Sequence, residues 1–364
     1  MTKIKDATIL DENMHISTIG DRSYRWLDPL NCESIQLLGF NWIETDKIYR
    51  RMPICKPGYL PEAVDSLALC CSGGQLKIRT NATRVAIEAE FAYPPTMDHM
   101  PPTGQNGFDC YFGDCGTMQY AITARFDPKC AAYCVPLFTD IIQTERLLTI
   151  NFPLYNGELK KLRIGIEPEA TLSTPPARPE QKIVVYGTSI TQGGCASRPG
   201  MSFTNILSRM LNAEFINLGF SGNGRGEPAV VETLGSINDM ELLVIDYEAN
   251  INNDIFDNLP AMVKRLRELQ PQLPLLIISR VGYGQENIRP ENRVIAEKRR
   301  DFQRDFVKQQ QANGDNNIAF FDGTTFFAGK DPGEFAVDGC HLTDYGFMVM
   351  AEKLRPVIEQ YLTK

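Results

Sequence analysis

The chain has 364 residues, 43% of them hydrophobic and 23% charged, with a formal net charge of −8 at pH 7 and a pI near 5.2. Its length is that of about two domains, each long enough to close its own core. An acidic balance without a long basic run excludes a nucleic-acid partner and an anionic membrane surface, because phosphates demand clustered Lys and Arg.

The densest basic stretch, Lys298-Arg299-Arg300, falls in a helical pattern mixed with acids and reads as a solvated face. Residues 1–22 read as a polar N-terminal segment that includes His15. Met1-Thr2-Lys3-Ile4-Lys5-Asp6-Ala7 and the acids after it lack the apolar core of a signal peptide. No uninterrupted apolar run approaches the roughly 20 residues that span a bilayer. A cytoplasmic location is therefore expected.

Residues 23–173 have the texture of β-structure. Val85, Ile87, Ala89 and Phe91 alternate with Arg84, Ala86, Glu88 and Glu90. Leu148, Ile150, Phe152 and Leu154 repeat the pattern, and so do Leu162, Ile164 and Ile166. Period-two alternation broken by Gly73-Gly74 and Asn156-Gly157 predicts half-buried strands, and many short strands predict an all-β sandwich or jelly roll.

Ten cysteines occur in the chain. Cys110/Cys115 and Cys130/Cys134 are close pairs, but their spacing is looser than that of structural zinc knuckles. Reduced, mostly buried thiols are expected, with no metal and no disulfide framework.

Thr174-Pro175-Pro176-Ala177-Arg178-Pro179 then breaks the chain. Prolines at this density continue neither helix nor strand, so 174–180 is predicted to be a linker. From 181 to 364 the texture changes. Nearly continuous apolar runs at 182–186, 214–218, 241–247, 274–279 and 317–321 suit strands buried on both faces. Helical patterns separate them. Phe203, Ile206, Leu207, Met210 and Leu211 mark one helix face, longer helices are predicted at 255–270 and 291–311, and a last one at about 343–361 carries Pro356 as a kink. Such alternation predicts a parallel sheet covered on both sides, with its ligand at the carboxyl ends of the strands.

The polar residues fall at those ends. The segments after the first three strands contain Gly187-Thr188-Ser189-Ile190-Thr191, Gly219-Phe220-Ser221-Gly222 and Asp246-Tyr247-Glu248-Ala249-Asn250; Asp338-Gly339-Cys340-His341 follows the fifth. A serine hydroxyl needs a base to take its proton. Of the three histidines, His15 and His99 lie in segments that would not hold a ring rigidly, which leaves His341. Asp338, three residues earlier, can fix its tautomer. The backbone N–H groups of Ser189 and Gly222 and the amide of Asn250 could hold a developing oxyanion, with Asn252 and Asn253 competing for the last role.

Together these segments resemble the SGNH (GDSL-like) hydrolase family from about residue 182 onward. Its four named residues map to Ser189, Gly222, Asn250 and His341, with Asp338 completing a triad. Thr188 replaces the Asp of Gly-Asp-Ser, and the third block resembles the Asp-x-x-x-Asn form of one bacterial subgroup. Gly107-Phe108-Asp109-Cys110-Tyr111 resembles the Gly-x-Asp-Leu-Tyr signature of a β-sandwich domain that precedes such hydrolases, with Cys110 in place of Leu. The resemblance implies a flavodoxin-like doubly wound sheet behind a sandwich. It also implies a serine esterase without cofactor or metal, acting on a short acyl ester such as an acetyl, on a carbohydrate or other small molecule.

Asp109, Tyr111 and Arg280 are candidate substrate contacts; for Arg280 a structural role is the commoner outcome. Cys195 and Cys340 lie close in sequence to the machinery, and one of them could border the pocket. Acyl transfer to an alcohol would use the same residues. A nucleotide-binding protein fits poorly: Gly222-Asn223-Gly224-Arg225-Gly226 lacks the Gly-x-Gly-x-x-Gly spacing, and no Walker motif occurs. A non-catalytic carbohydrate-binding protein is the remaining alternative, and intact Ser189, Asp338 and His341 speak against it. Oligomeric state is not legible.

Overall fold

The computed structural model describes residues 10, 19–20 and 23–362; His15 and most of the 1–22 segment lie outside them. Among the described residues ten antiparallel strands come first: β1 (Arg25–Leu27), β2 (Ile35–Leu38), β3 (Gln75–Thr80), β4 (Val85–Phe91), β5 (Asp109–Phe112), β6 (Gln119–Thr123), β7 (Ala132–Phe138), β8 (Arg146–Asn151), β9 (Leu159–Ile166) and β10 (Leu172–Ser173). They form two sheets, β1-β9-β4-β7 and β10-β3-β8-β5-β6, with β2 added on β3.

Leu76, Ile78 and Ile150 of one sheet share a core with Ile87, Phe91 and Ile164 of the other. This is the sandwich that the alternation predicts. On its outer face Glu88 stands opposite Arg163 and bonds it, and Lys161 Nζ donates to the same carboxylate at 2.8 Å. Such cross-strand pairs favour this register over a one-residue slip.

One run departs from the prediction. The alternation reads through Leu154, but β8 ends at Asn151. Phe152 still packs in the sandwich core, whereas Leu154 belongs to the core of the second half. The thiols also differ from expectation. All ten are free, but only Cys70, Cys71, Cys110 and Cys195 are buried, and Cys130 and Cys134 are exposed. Cys134 sits at an outward position of β7, where alternation turns every second side chain to solvent.

The second half is a parallel sheet of β11 (Lys182–Gly187), β12 (Glu214–Gly219), β13 (Met240–Asp246), β14 (Leu275–Ile278) and β15 (Ile318–Phe321), in the order β12-β11-β13-β14-β15. Helices Phe203–Met210 and Asp344–Glu359 cover one face. Pro228–Gly235, Ile255–Leu269 and Pro290–Ala312 cover the other. Along β11, Ile183 and Val185 face the first layer and Val184 and Tyr186 the second, which explains the continuous apolar run. The last helix runs through Pro356 to Glu359. The chain leaves β11 for β12 on one side and returns to β13 on the other, and at such a reversal the loops diverge into a crevice. No helix among the described residues is long and apolar enough to cross a membrane.

The Pro-rich segment carries neither helix nor strand, but it is tied down. Arg178 donates to the Leu37 carbonyl at 2.9 Å and pairs with the buried Glu214 at 2.8 Å. Glu214 in turn accepts from the Gly39 N–H at 2.9 Å, which fastens the end of β2 to the start of β12.

Candidate active site

Ser189 opens a one-turn helix, Ser189–Gln192, directly after β11. Thr188 is its N-cap, and the Thr188 hydroxyl accepts from the Ile190 N–H at 3.3 Å. A threonine can therefore fill the position before the serine without loss of the cap. Gly187 has no substitute: a Cβ there would lie 2.1 Å from Thr191 Oγ1 and 2.4 Å from the Asp246 carbonyl oxygen. Thr191 Oγ1 donates to Asp246 at 2.9 Å, which ties the Ser189 turn to the end of β13. Burial raises the Asp246 carboxyl to about 7, with the bond from Thr191 opposing and the Glu248 charge adding.

The predicted base and carboxylate meet the serine. His341 Nε2 lies 2.9 Å from Ser189 Oγ, and His341 Nδ1 lies 2.7 Å from Asp338 Oδ2. Asp338 Oδ1 accepts from the N–H groups of Cys340 at 3.0 Å and His341 at 2.8 Å. Partial burial opposes ionisation of Asp338, but the His341 ring and the two N–H groups outweigh it and hold the carboxyl at about 2. The loop is braced by Val337 N–H on the His341 carbonyl at 2.8 Å. Ser189 is only 8% exposed, whereas the His341 and Asp338 side chains keep 25% and 35% of their surface exposed.

Gly222 has φ +69, a left-handed conformation, and nothing lies within 4 Å of where its Cβ would be. A glycine relieves the backbone and leaves that space open to an approaching group. Asn250 lies in the turn of helix Glu248–Ile251, and its Nδ2 donates to the Phe220 carbonyl at 3.2 Å, two residues before Gly222. Of its competitors, Asn253 is engaged by Arg299 Nε at 3.0 Å. Gln192, buried, accepts from the Ser221 N–H at 2.9 Å and so joins this second loop to the Ser189 turn.

The three candidate substrate contacts are engaged by other side chains. Asp109 is wholly buried, 2.5 Å from Arg198 Nη1, and also accepts from Gly200 N–H at 2.9 Å and Asn151 Nδ2 at 2.8 Å. Tyr111 takes a bond from Arg198 at 2.6 Å, and the Arg209 guanidinium lies 4.3 Å over its ring. The Gly-x-Asp-Leu-Tyr-like motif is thus a clasp between the halves: an aspartate with no exposed surface meets an arginine that follows the Ser189 turn. Arg280 pairs with Glu286, lies 4.0 Å over the Tyr283 ring, and lines a cavity of about 280 Å³ that includes neither Ser189 nor His341.

Sequence reasoning missed several neighbours of the site. Tyr155 donates to the Ser189 carbonyl at 3.2 Å. Arg51, fully buried, spreads over four carbonyls, among them that of Gly219. His99 stands edge-on to His341 at 5.5 Å between ring centres, in a segment that the sequence reading set aside. No local pattern announces these residues; a lone buried-looking Arg or Tyr in β-like sequence has no periodicity of its own. Cys195, expected near the machinery, is buried close to His341, and burial first, then the charges of Asp338, Cys340 and Asp98, push its thiol up to about 12.

Comparison with known proteins agrees with this geometry at the level of family. Residues 180–359 match the GDSL-like lipase/acylhydrolase family, and residues 24–172 match the N-terminus of SGNH-hydrolase-type esterases. A Bacteroides ovatus structure assigned as a GDSL-like lipase is 27% identical, with TM-score 0.85 over 93% of this chain and 98% of that one. The salicylyl-acyltransferase SsfX3 from a tetracycline biosynthetic pathway is 18% identical, with TM-score 0.72 over 93% and 98%. A family two carbohydrate esterase from Clostridium thermocellum in complex with cellohexaose is 15% identical, with TM-score 0.57 over 86% and 98%. A search of curated proteins gives no match.

Proposed function

Because the chain belongs to the GDSL-like lipase/acylhydrolase family and is an ester-hydrolysing enzyme, we propose that it removes a short acyl group, such as acetyl, from a carbohydrate ester through Ser189, His341 and Asp338. The observation that carries this reading is the continuous chain of hydrogen bonds from Asp338 to His341 to Ser189, 2.7 and 2.9 Å long.

His341 Nε2 takes the Ser189 proton as Oγ attacks the ester carbonyl. Asp338 holds the ring in the required tautomer and stabilises the imidazolium. The oxygen that becomes negative is met by the N–H groups of Ser189 and Gly222 and by the Asn250 amide. The tetrahedral adduct collapses, the leaving alcohol takes the proton from His341, and Ser189 keeps the acyl group. His341 then draws a proton from water, which attacks the acyl-enzyme; as this second adduct collapses, His341 returns the proton to Ser189 Oγ and the acid is released.

A carbohydrate alcohol is supported by the fold shared with the cellohexaose-bound carbohydrate esterase. A second reading, transfer of the acyl group to an alcohol in place of water, is supported by the fold shared with the salicylyl-acyltransferase. Incubation with a fluorophosphonate, read by intact mass, is expected to place one adduct on Ser189. Product analysis over a panel of sugar esters, with and without an added alcohol, separates hydrolysis from transfer. An adduct elsewhere would overturn the assignment of Ser189 in favour of another nucleophile, and no adduct at all would favour a non-catalytic binding protein.

A further inference from the structure

His99, Cys195 and His341 converge: one ligating atom from each lies within 4.8 Å of the other two. They come from three separate loops, one after β4, one after the Ser189–Gln192 turn and one before the last helix. Each imidazole has a carboxylate beside Nδ1, a fully exposed one for His99 and a partly buried, backbone-anchored one for His341. Asp98 Oδ1 lies 3.1 Å from His99 Nδ1, and Asp338 Oδ2 lies 2.7 Å from His341 Nδ1. Each ring therefore has a carboxylate on one nitrogen and keeps Nε2 as its remaining donor. That pairing is how proteins orient metal-bound histidines and raise their basicity. Cys195, fixed by its N–H on the Leu342 carbonyl at 3.0 Å, adds a sulfur from the buried side.

We infer that these three residues form a binding site for a soft divalent cation, with Zn²⁺ as its probe. Two imidazole nitrogens and a thiolate are the donors such an ion prefers. Bonds of about 2.0 Å to nitrogen and about 2.3 Å to sulfur put tetrahedral ligands roughly 3.3–3.6 Å apart, so the three side chains close by about an ångström. His99, half-exposed in its loop, can turn inward to do so. The thiol proton passes to water as the sulfur–metal bond forms. His341 Nε2, otherwise 2.9 Å from Ser189 Oγ, is then a metal ligand and cannot accept a proton. Occupancy is inhibitory, a consequence that rests on His341 being the base; the binding itself does not.

Zinc sulfate titrated by calorimetry into the full chain tests the site, alongside His99→Ala, Cys195→Ala, His341→Ala and Ser189→Ala, each first shown to be folded by its circular dichroism melt. The wild type and Ser189→Ala are expected to bind one zinc per chain, and each of the other three to bind at least about tenfold more weakly. Cobalt in place of zinc is expected to give a thiolate charge-transfer band that Cys195→Ala loses. Because His99 is half-exposed, His99→Ala keeps the test alive if Cys195→Ala does not fold. Equal zinc affinity in the wild type and His99→Ala overturns the site. Ester hydrolysis should fall as zinc binds and return with EDTA. Hydrolysis undiminished at full occupancy of the three-residue site would leave the site standing and remove His341 as the base.

Discussion

Arg51 Nη1 donates to the carbonyl oxygen of Gly219 at 2.6 Å, across 168 positions of sequence. The same guanidinium reaches Asn217, Cys70 and Leu67, and lies 4.8 Å over the ring of Phe220. It thereby holds the end of β12, from which the Gly222 loop departs. Burial lowers the affinity of this guanidinium for its proton, and nearby Cys70 and Cys71 work against that. The charge stays in place because carbonyl oxygens surround it.

Arg51→Met should cost about 3 kcal/mol or more, since it leaves buried carbonyls without donors. Arg51→Lys, which restores one or two of the bonds, should recover part of the melting temperature. If Arg51 also positions the proposed oxyanion loop, kcat falls further than KM rises in folded enzyme. Thermal melts and steady-state kinetics on the two variants check both points. An unchanged melting temperature in Arg51→Met would contradict the account.

Ser189→Ala and His341→Ala should each lower kcat by on the order of 10⁴-fold or more with unchanged melting curves, and the double variant should be no slower than either. Additive losses would mean that the two side chains do not act on one proton.

Asp109→Ala leaves Arg198, largely buried, without its carboxylate. Stability is expected to fall by about 3–5 kcal/mol, as for other broken buried pairs. KM for small esters should hold steady in the enzyme that remains folded. A raised KM with an unaltered melting temperature would instead return Asp109 to the role of substrate contact.

Asp246 links folding to pH. Its carboxyl stands at about 7, above the ordinary carboxylate range, chiefly through burial. A raised folded-state value means that the neutral form contributes stability fully below about pH 4, and that this contribution is lost as pH rises through about 7. Asp246→Asn keeps an oxygen for Thr191 Oγ1 and removes the dependence. The melting temperature of the variant relative to wild type should therefore climb between about pH 4 and about pH 7 and level off above about pH 8. A flat or falling difference over that window would show that the carboxyl titrates elsewhere.

Much of this molecule is legible in local patterns. Period-two alternation predicts the sandwich, continuous apolar runs predict the buried parallel strands, and Thr174–Pro179 marks the change between them. The Asp338–His341 pair is legible for the same reason: three residues of separation put both side chains on one turn, and the turn is a local object. The carboxyl-end rule then places Ser189, Gly222 and Asn250 along one rim before any distance is known.

What only the tertiary structure decided are the contacts between segments far apart in the chain. Nothing near Asp109 in sequence says that Arg198 will cover it. Nothing near Arg51, Tyr155 or His99 says that each will end beside a loop of the other half. Secondary structure repeats along the chain and leaves a period to read. A long-range hydrogen bond or ligand cluster involves one residue from each side, and its energy appears only when packing brings the two together.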